Sequence, residues 1–467
     1  MSTSVTGPVA GPAGAARPAD ARRALVAGSV GNFIEWYEFG VYGCFATVIA
    51  GHFFTPEGGS AAEGLVRTYA SFALAFFFRP VGAAVFGRLG DRVGRRPALV
   101  LVVCLMTGAT TLIGALPTYA SIGAAAPWLL TLLRILQGLS AGGEFGGAVS
   151  LMTESAPPGR RGRYGAWQSF TVALGLLAGA GAAAVLASVL TPSQLEGWGW
   201  RVPFLLALPM GLAALGLRLR LDEPPVVVAA AGGGETACGG ETVGGKAPAE
   251  AYGEGPAGAT ACGGPAGRGS GGTVRAVVLG VGRVMGWSAA GYTFLVVLPS
   301  YLQSTLNATF QQALVATALA NLGFASSILP AGAVSDRIGR RTVMVAGALL
   351  VAVFALPLLN LVQDVGGSPY VKGAALLAAG AVVGLMGGPG PAMLAEMFPT
   401  RVRCTGLGLA YALANALFSG CAGLIITEAV ARTGDVDMPA HYAAAACAVS
   451  ALALLTLRGD DHLRPLR

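Results

Sequence analysis

Twelve apolar segments follow one another along the chain, with polar and charged residues between them. Each segment is near the roughly 20 residues that a helix needs to span a bilayer. The predicted spans are 24–50, 68–87, 98–117, 126–152, 164–190 and 201–217 in the first half, and 276–302, 310–334, 342–362, 370–391, 404–430 and 440–457 in the second. The pattern predicts an all-α membrane protein with twelve transmembrane helices in two bundles of six.

The spans divide the chain into five parts. Residues 1–23 form an N-terminal tail, 24–218 a six-helix bundle, 219–273 a linker, 274–458 a second six-helix bundle, and 459–467 a C-terminal tail. The linker is dense in Gly and Ala and has few large apolar side chains, so it has too little apolar surface to form a core. We therefore expect it to be flexible.

Composition narrows the class of protein. The chain is 54% hydrophobic and 11% charged, whereas a soluble domain is about 25% charged. Its seven cysteines include no CxxC pair, and the sequence shows neither a metal-ligand cluster nor a Ser-His-Asp arrangement. The Gly-rich stretch at 142–147 has no strand before it and no Lys-Ser or Lys-Thr after it, which excludes a nucleotide loop. We therefore expect that the chain is not an enzyme and that it binds neither a metal nor a cofactor.

The distribution of charge predicts the topology. Most of the 30 Lys and Arg residues lie in the tails, in the linker and in the connections after even-numbered spans. The positive-inside rule then places both termini and the linker in the cytoplasm. The location of the basic residues explains the net charge of +7 by topology. We therefore expect contact with the lipid bilayer and not with nucleic acid. The predicted location is the cytoplasmic membrane, and we expect a monomer.

The first span carries a polar stripe. Glu35 and Glu38 are three residues apart and share a helix face, which Asn32 and Tyr42 extend. A charge at the bilayer centre costs about 2.5–3.5 kcal/mol on insertion scales. The stripe should therefore face the protein interior or a watery cavity.

The two halves repeat. Six of ten positions are identical between Gly87–Arg96 and Gly332–Arg341, at an offset of 245 residues. A glutamate followed by Pro at +3 and Arg at +7 also occurs twice, at Glu154 and Glu396, at an offset of 242. Two motif pairs at nearly one offset indicate a duplicated six-helix unit with the same orientation.

The chain resembles the major facilitator superfamily, and more narrowly its metabolite:proton symporter branch, which includes carriers of shikimate, oxoglutarate, citrate, proline and betaine. The match extends over essentially all twelve spans. Its motifs are Gly31-Asn32 with Glu35-Trp36-Tyr37-Glu38-Phe39, Arg79-Pro80, Arg134-Ile135-Leu136-Gln137-Gly138, Gly142-Gly143-Glu144, Trp198-Gly199-Trp200-Arg201-Val202-Pro203-Phe204 and Glu396-Met397-Phe398-Pro399-Thr400-Arg401-Val402-Arg403. The branch usually has Asp where this chain has Glu38.

The resemblance implies two six-helix bundles that alternate access to a central cavity. The superfamily's sugar–proton carriers have an acid in the first span that faces an arginine in the fourth. Carried over to this chain, that implies a pair between Glu38 and Arg134. The branch also implies symport with protons, in the direction of uptake.

Carboxylates are the candidate proton carriers, because no His lies inside a predicted span. Burial favours the neutral form of a carboxyl group and a nearby guanidinium favours the charged form, so exchanging one for the other makes an adequate switch. A static pair that only neutralises buried charge is the alternative. Glu38 is favoured over Glu35, and the full proton-coupling set is Glu38, Glu35, Arg134 and Glu144.

Arg79 lies within a span, directly before Pro80. As an unpaired cation it would receive a substrate carboxylate, or it would bond backbone groups freed by the proline. With Arg134 it favours an anionic or zwitterionic substrate. For the uncharged candidates, the alternative is a helix–helix hydrogen bond or an interfacial aromatic. The candidate substrate-binding residues are Arg79, Arg134, Tyr42, Gln137, Trp287, Tyr292, Asn321, Tyr411 and Asn415.

Charged motifs at the cytoplasmic ends of the spans predict a gate. Asp91 can cap the next helix while it pairs with a basic residue across the bundle interface, and Asp336 should do the same by pseudo-symmetry. Topology alone is the alternative, but topology makes little use of acids. The predicted gate residues are Asp91, Arg92, Arg95, Arg96, Glu154, Asp336, Arg337, Arg340, Arg341, Glu396 and Arg403.

Together these features predict a secondary active transporter that takes up a small carboxylated metabolite or zwitterionic osmolyte. Without a nucleotide site, the proton gradient would supply the energy. One alternative keeps the fold and reverses the direction, as a proton antiporter that exports drugs or metabolites. Another is a transporter-like sensor that binds without carrying.

Overall fold

The computed structural model describes residues 18–55, 60–93, 95–154, 156–219, 270–399, 402–459 and 463. The predicted tails and the predicted linker lie mostly outside these ranges. Regular structure in the described residues is helical throughout, as the apolar pattern predicts.

Eleven α-helices form the described part of the N-terminal half. The first span is α1 and α2 with a π-helical segment, α3 to α4 are the second and third spans, α6 and α7 together the fourth, α8 the fifth, and α10 with α11 the sixth. Their bounds are α1 Pro18–Cys44, α2 Ala46–Ile49, π segment Ala50–Phe54, α3 Ala61–Val93, α4 Arg95–Ala115, α5 Tyr119–Ile122, α6 Ala125–Gly142, α7 Phe145–Glu154, α8 Arg161–Val189, α9 Pro192–Gly197, a 3₁₀ turn Gly199–Arg201, α10 Val202–Leu205 and α11 Ala207–Leu219.

The described C-terminal half repeats this plan. The seventh span is α12 and α13 joined by a π segment, α14 and α15 are the eighth and ninth, α16 and α17 together the tenth, α18 and α19 the eleventh, and α20 the twelfth. Their bounds are α12 Ser270–Tyr292, π segment Thr293–Val297, α13 Leu298–Ser304, α14 Phe310–Ile338, α15 Arg340–Gln363, α16 Pro369–Gly387, α17 Gly390–Met397, α18 Arg403–Ala414, π segment Asn415–Gly420, α19 Ala422–Thr433 and α20 Met438–Leu455.

Nine helical segments of the described chain are long and apolar enough to cross a membrane. The other three predicted spans are the first, third and fourth. The described apolar stretch of the third is Val100–Ala115, and the fourth is interrupted after Gly142. The twelve-helix architecture of the major facilitator fold is confirmed.

The fourth and tenth spans break at corresponding places. α6 ends at Gly142 and α7 begins at Phe145, while α16 ends at Gly387 and α17 begins at Gly390. Both breaks fall in Gly-rich sequence, where the intrinsic preference for helix is weak. In the tenth span Pro389 also lacks a backbone N–H. The sequence pattern predicted continuous helices at both places, because glycine keeps the apolar run unbroken.

Two seams join the halves. α8 of the N-terminal half packs against α14, and α3 packs against α18, α19 and the π segment between them. One continuous buried cluster extends through both halves. We call the end where α7, α14 and α17 finish and α8, α15 and α18 begin the basic face, and the opposite end the far face.

The Trp-Gly-Trp-Arg motif closes the end of the third span. Arg201 Nη1 donates to the carbonyls of Gly114 at 2.9 Å and Leu116 at 2.7 Å. These carbonyls are the last of α4, where helical partners are missing and a cation is favoured. Trp200 is fully buried, and the Arg201 guanidinium carbon lies 4.6 Å from its ring centroid. The motif therefore holds the third and sixth spans together at the far face.

Candidate functional site

A buried ion pair joins the first and second spans. Arg79 Nη2 donates to Glu35 Oε1 at 2.8 Å, and both side chains are buried. The Arg79 guanidinium carbon also lies 4.2 Å from the ring centroid of Phe76 and 4.9 Å from that of Phe39, within cation–π range. Arg79 is therefore not the unpaired cation that one of its two predicted roles required, since the stripe of the first span supplies its partner.

A second buried group surrounds Arg134 in the fourth span. Arg134 Nη1 donates to Gln137 Oε1 at 2.8 Å. Gln137 Nε2 in turn donates to Thr110 Oγ1 at 2.6 Å and, weakly, to Glu38 Oε2 at 3.5 Å. The direct pair of Glu38 with Arg134 that the resemblance implied is therefore not the contact in this structure. Gln137 lies between the two charges, because it follows Arg134 by three residues and shares its helix face.

Neither charge of this second group is fully satisfied. Glu38 Oε1 and both Nε and Nη2 of Arg134 have no hydrogen-bond partner among the described residues. The Arg134 guanidinium carbon lies 3.3 Å from the ring centroid of Tyr42, whose hydroxyl donates to the Thr68 carbonyl at 3.2 Å. Buried polar groups are normally paired, so these atoms mark a place where a proton or a substrate group can change the bonding.

A central cavity lies between the two halves. Its empty volume is about 400 Å³. Of the predicted substrate-binding residues, Trp287, Tyr292, Tyr411 and Asn415 line it, while Arg79, Arg134, Tyr42, Gln137 and Asn321 do not. The full lining is Trp36, Ser169, Val172, Leu176, Trp287, Ser288, Gly291, Tyr292, Leu295, Val296, Phe324, Tyr411 and Asn415.

Aromatic rings of both halves form much of the cavity wall. Trp36 meets Tyr292 edge-on with the ring centroids 5.9 Å apart, and Trp287 lies 5.7 Å from Tyr411 by the same measure. The Tyr411 ring also stacks on Phe145 of the fourth span. The buried Tyr292 hydroxyl has no partner among the described residues. The cavity thus offers ring faces and one unoccupied hydroxyl.

Polar groups at the cavity wall are few and uncharged in the described chain. Ser288 Oγ donates to Asn415 Oδ1 at 3.4 Å, and Asn415 Nδ2 donates to the Tyr411 carbonyl at 3.0 Å. Ser169 Oγ donates across the halves to the Gly387 carbonyl at 2.7 Å, at the break of the tenth span.

Sequence reasoning did not select Trp36, Ser169, Ser288 or Phe324. Trp36 belongs to the first-span motif, from which only the carboxylates were selected. Ser169 follows Gln168 inside an apolar span, and that polar pair was the available signal. Ser288 and Phe324 carry no signal that separates them from ordinary core positions.

Asn321 ties two helices together. Its Nδ2 donates to the Leu295 carbonyl at 3.3 Å and to the Thr317 carbonyl at 2.9 Å. The first of these bonds connects the eighth span to the π segment of the seventh. This is the helix–helix hydrogen bond that was the alternative to substrate contact.

Asp336 connects the halves at the basic face. Its carboxylate accepts hydrogen bonds from the backbone amides of Gly162 at 2.8 Å and Arg163 at 3.0 Å. These amides belong to the first turn of α8, where donors lack helical partners and a negative charge is favoured. Asp336 also pairs with Arg340 at 2.8 Å. We predicted that Asp336 caps the next helix of its own half and pairs with a basic residue across the interface. The structure has the reverse, because the cap crosses the interface and the ion pair lies within one half.

Two further acids complete the closure. Glu396 accepts from Arg340 at 3.1 Å within its own half and lies 3.7 Å from Arg161 of the other half. Glu154 forms an ion pair with Arg403 across the halves. The repeated Glu–Arg spacing therefore places each glutamate beside an arginine of the opposite half.

The remaining predicted gate residues are not part of these contacts. Arg337 is exposed and Arg341 half-buried, and neither makes a hydrogen bond or ion pair with another described residue. The side chains of Asp91, Arg92, Arg95 and Arg96 lie outside the described residues.

The far face is closed as well. The hydroxyls of Tyr69 and Ser300 are 2.6 Å apart, and Thr47 Oγ1 donates to Gln303 Oε1 at 3.1 Å. These contacts join the first and second spans to the seventh. Since both faces are closed around the central cavity, the structure represents an occluded state.

The arrangement defines a class of protein. Two pseudo-symmetric helical bundles enclose a cavity, buried charges lie beside it, and the described His, Cys, Asp and Glu residues form no group that could hold a metal ion. This is the architecture of a secondary transporter of the major facilitator type. Residues 24–457 match the family described as Sugar (and other) transporter, so the chain belongs to that family.

Solved structures share the fold. The proton:xylose symporter XylE bound to 6-bromo-6-deoxy-D-glucose aligns with a TM-score of 0.69 at 18% identity, over 93% of this chain and 94% of that one. The inward open conformation of XylE from E. coli aligns with a TM-score of 0.67 at 17% identity, over 92% of this chain and 94% of that one.

Named relatives are similar over nearly their whole length. Alpha-ketoglutarate permease of Escherichia coli is 35% identical over 86% of this chain and 87% of its own. The citrate-proton symporter of Klebsiella pneumoniae is 32% identical, with 94% and 92% covered. The proline/betaine transporter of Escherichia coli is 30% identical, with 96% and 85% covered. These relatives are transporters and not enzymes, and they match the branch that the motifs resemble.

Proposed function

We propose that the chain is a proton-coupled symporter that imports a small carboxylated or zwitterionic metabolite by alternating access. The observation that carries this proposal is the pair of buried charge groups beside an enclosed cavity, Glu35 with Arg79 and Glu38 with Gln137 and Arg134. Ionisable groups within a membrane are costly and are functional by default. The names of the relatives support the proposal, because they cover ketoglutarate, citrate with protons, and proline or betaine.

In this mechanism the ionised carboxylate of Glu38 and a carboxylate of the substrate compete for Arg134. A proton on Glu38 removes the negative charge that lies on the other side of Gln137 from Arg134. The nitrogens of Arg134 that have no described partner can then attract a substrate carboxylate. An uncompensated buried charge costs about 3–5 kcal/mol. The carrier therefore changes state most readily when proton and substrate are both present or both absent, which couples their movements.

The cavity wall favours a zwitterion or a small acid with an apolar part. The ring faces of Trp36, Trp287 and Tyr411 suit an ammonium or alkyl group. The Tyr292 hydroxyl and the Asn415 amide suit an oxygen acceptor or donor on the same molecule. Arg134 lies behind this wall, so a carboxylate reaches it only when the first or fourth span moves.

The orientation and energy source are part of the proposal. The positive-inside rule places the basic face and both termini in the cytoplasm. The proton gradient supplies the energy without a cofactor. The chain acts as a monomer, because the cavity and both closures are formed within one chain.

The test begins with a thermal-shift screen of the purified protein against organic acids, amino acids and betaines. Each hit is then offered to proteoliposomes with and without an imposed pH gradient. We expect accumulation inside when the lumen is alkaline. Efflux under the same gradient would instead identify an antiporter, and binding without counterflow would identify a sensor.

A single substitution tests the role of Glu38. We expect Glu38→Gln to abolish accumulation driven by the pH gradient, because the amide cannot take up and release the proton. Uptake of the identified substrate into proteoliposomes measures this. Glu63→Gln is the matched control, since Glu63 is exposed and pairs only with Arg67 on its own helix among the described residues. Retained accumulation in Glu38→Gln would exclude Glu38 as the coupling group.

A further inference from the structure

Gln137 of the fourth span lies between the buried acid and the buried cation. Its Oε1 accepts from Arg134 Nη1 at 2.8 Å, and its Nε2 donates to Thr110 Oγ1 at 2.6 Å and to Glu38 Oε2 at 3.5 Å. All four side chains are buried, and we call them the amide bridge. The contact with Glu38 is the longest of the three and the weakest, so it is the one most easily exchanged.

Thr110 determines which end of the Gln137 amide lies towards the acid. A hydroxyl group has one proton, and that of Thr110 is donated to the Met106 carbonyl at 3.0 Å. The Thr110 oxygen therefore accepts from Gln137, which requires the NH2 end of the amide. Arg134 has donors and no acceptor, so it requires the carbonyl end on its own side. Two independent neighbours thus set the observed orientation.

The observed orientation suits an ionised Glu38, which only accepts hydrogen bonds. A protonated Glu38 has an O–H group that needs an acceptor. Its Oε1 has no hydrogen-bond partner among the described residues, and its Oε2 faces the Nε2 hydrogens of Gln137. In this orientation the amide offers a protonated Glu38 only donors. The carbonyl end of the same amide would be an acceptor.

Turning the amide over satisfies the protonated acid. The two ends of the amide have nearly the same shape, and the terminal torsion of glutamine is broad and roughly two-fold, so no helix has to move. Oε1 then accepts from Glu38 and from Thr110, whose proton leaves the Met106 carbonyl. Nε2 then faces Arg134, where a donor meets a donor.

This turn frees Arg134. Among the described residues Arg134 donates only to Gln137, and its Nε and Nη2 have no partner. The described contacts that remain after the turn are with aromatic rings, and the ring centroids of Tyr42 and Phe72 lie 3.3 Å and 5.1 Å from the guanidinium carbon. A buried cation without an acceptor favours the arrival of a carboxylate. A proton on Glu38 is thereby converted into an unoccupied guanidinium group.

Charged and titratable side chains of four spans act on the amide bridge or on its neighbour Glu35. They are Glu35, Tyr37 and Tyr42 of the first span, Arg79 of the second, Arg134 of the fourth and Tyr292 of the seventh. Arg79 is bonded to Glu35. Of this set, Arg134 alone bonds the Gln137 amide among the described residues. The orientation of the amide therefore depends on Glu38, Thr110 and Arg134.

We propose that the Gln137 amide turns over when Glu38 gains a proton, and that Thr110 is the positioning residue that sets the amide for the ionised acid. This inference rests on the proposed proton coupling and identifies the group that moves in it. One O–H bond forms on Glu38, and every other change is an exchange of hydrogen bonds. Glu38 and Arg134 thus communicate through one side chain before any helix moves.

Infrared difference spectra of the purified full-length protein, titrated with pH and without substrate, test the turn. The band of the protonated Glu38 carboxyl is the one that Glu38→Gln lacks. We expect the side-chain amide band that Gln137→Met lacks to change with the same midpoint. An amide band that stays constant while the Glu38 band titrates would overturn the inference. A Glu38 band that does not titrate while the protein stays folded would overturn it too.

Thr110→Val keeps the shape of the side chain and removes the hydroxyl group. The ionised state loses two hydrogen bonds of Thr110 and the protonated state loses one, so the midpoint of the Glu38 band should rise by about 0.5–1 pH unit. Thr110→Ser keeps the hydroxyl group and should titrate as wild type. A residue needed only for packing would give the reverse, because serine lacks the methyl group and valine keeps it.

Thr111→Val is the matched control, because the described bond of Thr111 lies within its own helix. It should leave the midpoint unchanged. A wild-type midpoint in Thr110→Val would overturn the inference, and the Thr110 variants decide the matter if Gln137→Met does not fold.

Failure of this inference and failure of the proposed function are distinguishable, because the infrared titration uses neither a substrate nor a gradient. If proteoliposomes show proton-driven accumulation while the amide band stays constant, the proposed function stands and the inference fails. If the amide turns over with the Glu38 band and wild type accumulates no substrate, the proposed function fails and the turn of the amide stands.

Discussion

Glu35 and Glu38 stand on one face of the first span, yet they meet different partners. Glu35 bonds Arg79 directly, whereas Glu38 reaches Arg134 only through Gln137. The polar stripe could be read from the sequence, because an i, i+3 spacing puts two side chains on one face of any helix. The partners of the two glutamates could not be predicted, because they depend on how the second and fourth spans are rotated about their axes. The spacing of residues along one helix gives no information on that rotation.

The Glu35–Arg79 pair should be worth more than a surface pair. We expect Arg79→Met to lower the midpoint of thermal unfolding in detergent markedly, because removing one partner of a buried pair costs about 3–5 kcal/mol. Adding Glu35→Gln to Arg79→Met should recover much of the loss. Arg67→Met is the control, since its pair with Glu63 is exposed and such pairs contribute about 0–1 kcal/mol. Equal shifts in the two single variants would contradict this account.

Trp287 tests the aromatic wall of the central cavity. We expect Trp287→Leu to raise the KM for uptake about tenfold, equivalent to about 1.4 kcal/mol of lost ring contact. Trp287→Phe keeps a ring face and should lose less. Trp128→Leu is the matched control, because Trp128 is 76% exposed on the outside of the bundle. An unchanged KM in Trp287→Leu would remove that ring from the binding site.

The sequence predicted the limits of some helices to within a few residues. The predicted fifth span at 164–190 corresponds to Arg161–Val189, and the eighth at 310–334 to Phe310–Ile338. The tenth was predicted to end at 391, but α17 continues the span to Met397. The helix breaks at Gly388 and Pro389 and restarts with Pro391 in its first turn, where a missing N–H costs nothing.

The cap that Asp336 places on α8 should hold the basic face closed. We expect Asp336→Ala to widen the distance between spin labels at the exposed positions 160 and 337, measured by electron–electron double resonance. The physical reason is the loss of two charge-assisted hydrogen bonds between the halves, each stronger than a neutral one. Asp364→Ala alters an acid whose described bond lies within its own turn, and it should leave the distance distribution unchanged. An unaltered distribution in Asp336→Ala would show that the other ion pairs suffice.

At the scale of the whole molecule, the two ends of the central cavity are closed by contacts of different chemistry. Ion pairs and a helix cap close the basic face, while hydroxyl, amide and apolar contacts close the far face. The duplication and the topology were predictable because repeated motifs and charge asymmetry are properties of sequence. The occluded state was not, because it depends on the free-energy difference between conformations that share all their secondary structure.

Two glycines at the seams should bias this balance in opposite directions. A Cβ on Gly162 would meet the Gly332 carbonyl oxygen at 2.5 Å and Ser335 Oγ at 2.6 Å, so Gly162→Val should prevent closure of the basic face. A Cβ on Gly423 would press on the Tyr69 ring, so Gly423→Val should prevent closure of the far face. Labelling of a cysteine at position 288 by an impermeant maleimide, from each side of oriented vesicles, measures both. Labelling that increases from the same side in both variants would contradict the prediction.

Neighbouring residues of the first span have different surroundings, since Trp36 lines the central cavity and Glu35 pairs with Arg79. Nine of the thirteen residues around the central cavity come from the C-terminal half, whereas the described charges of the buried groups come from the N-terminal half. Substitutions that change what is carried and substitutions that change what drives it therefore fall on largely different helices. A library that varies only the seventh, eighth and eleventh spans could retarget the carrier while its energy coupling stays intact.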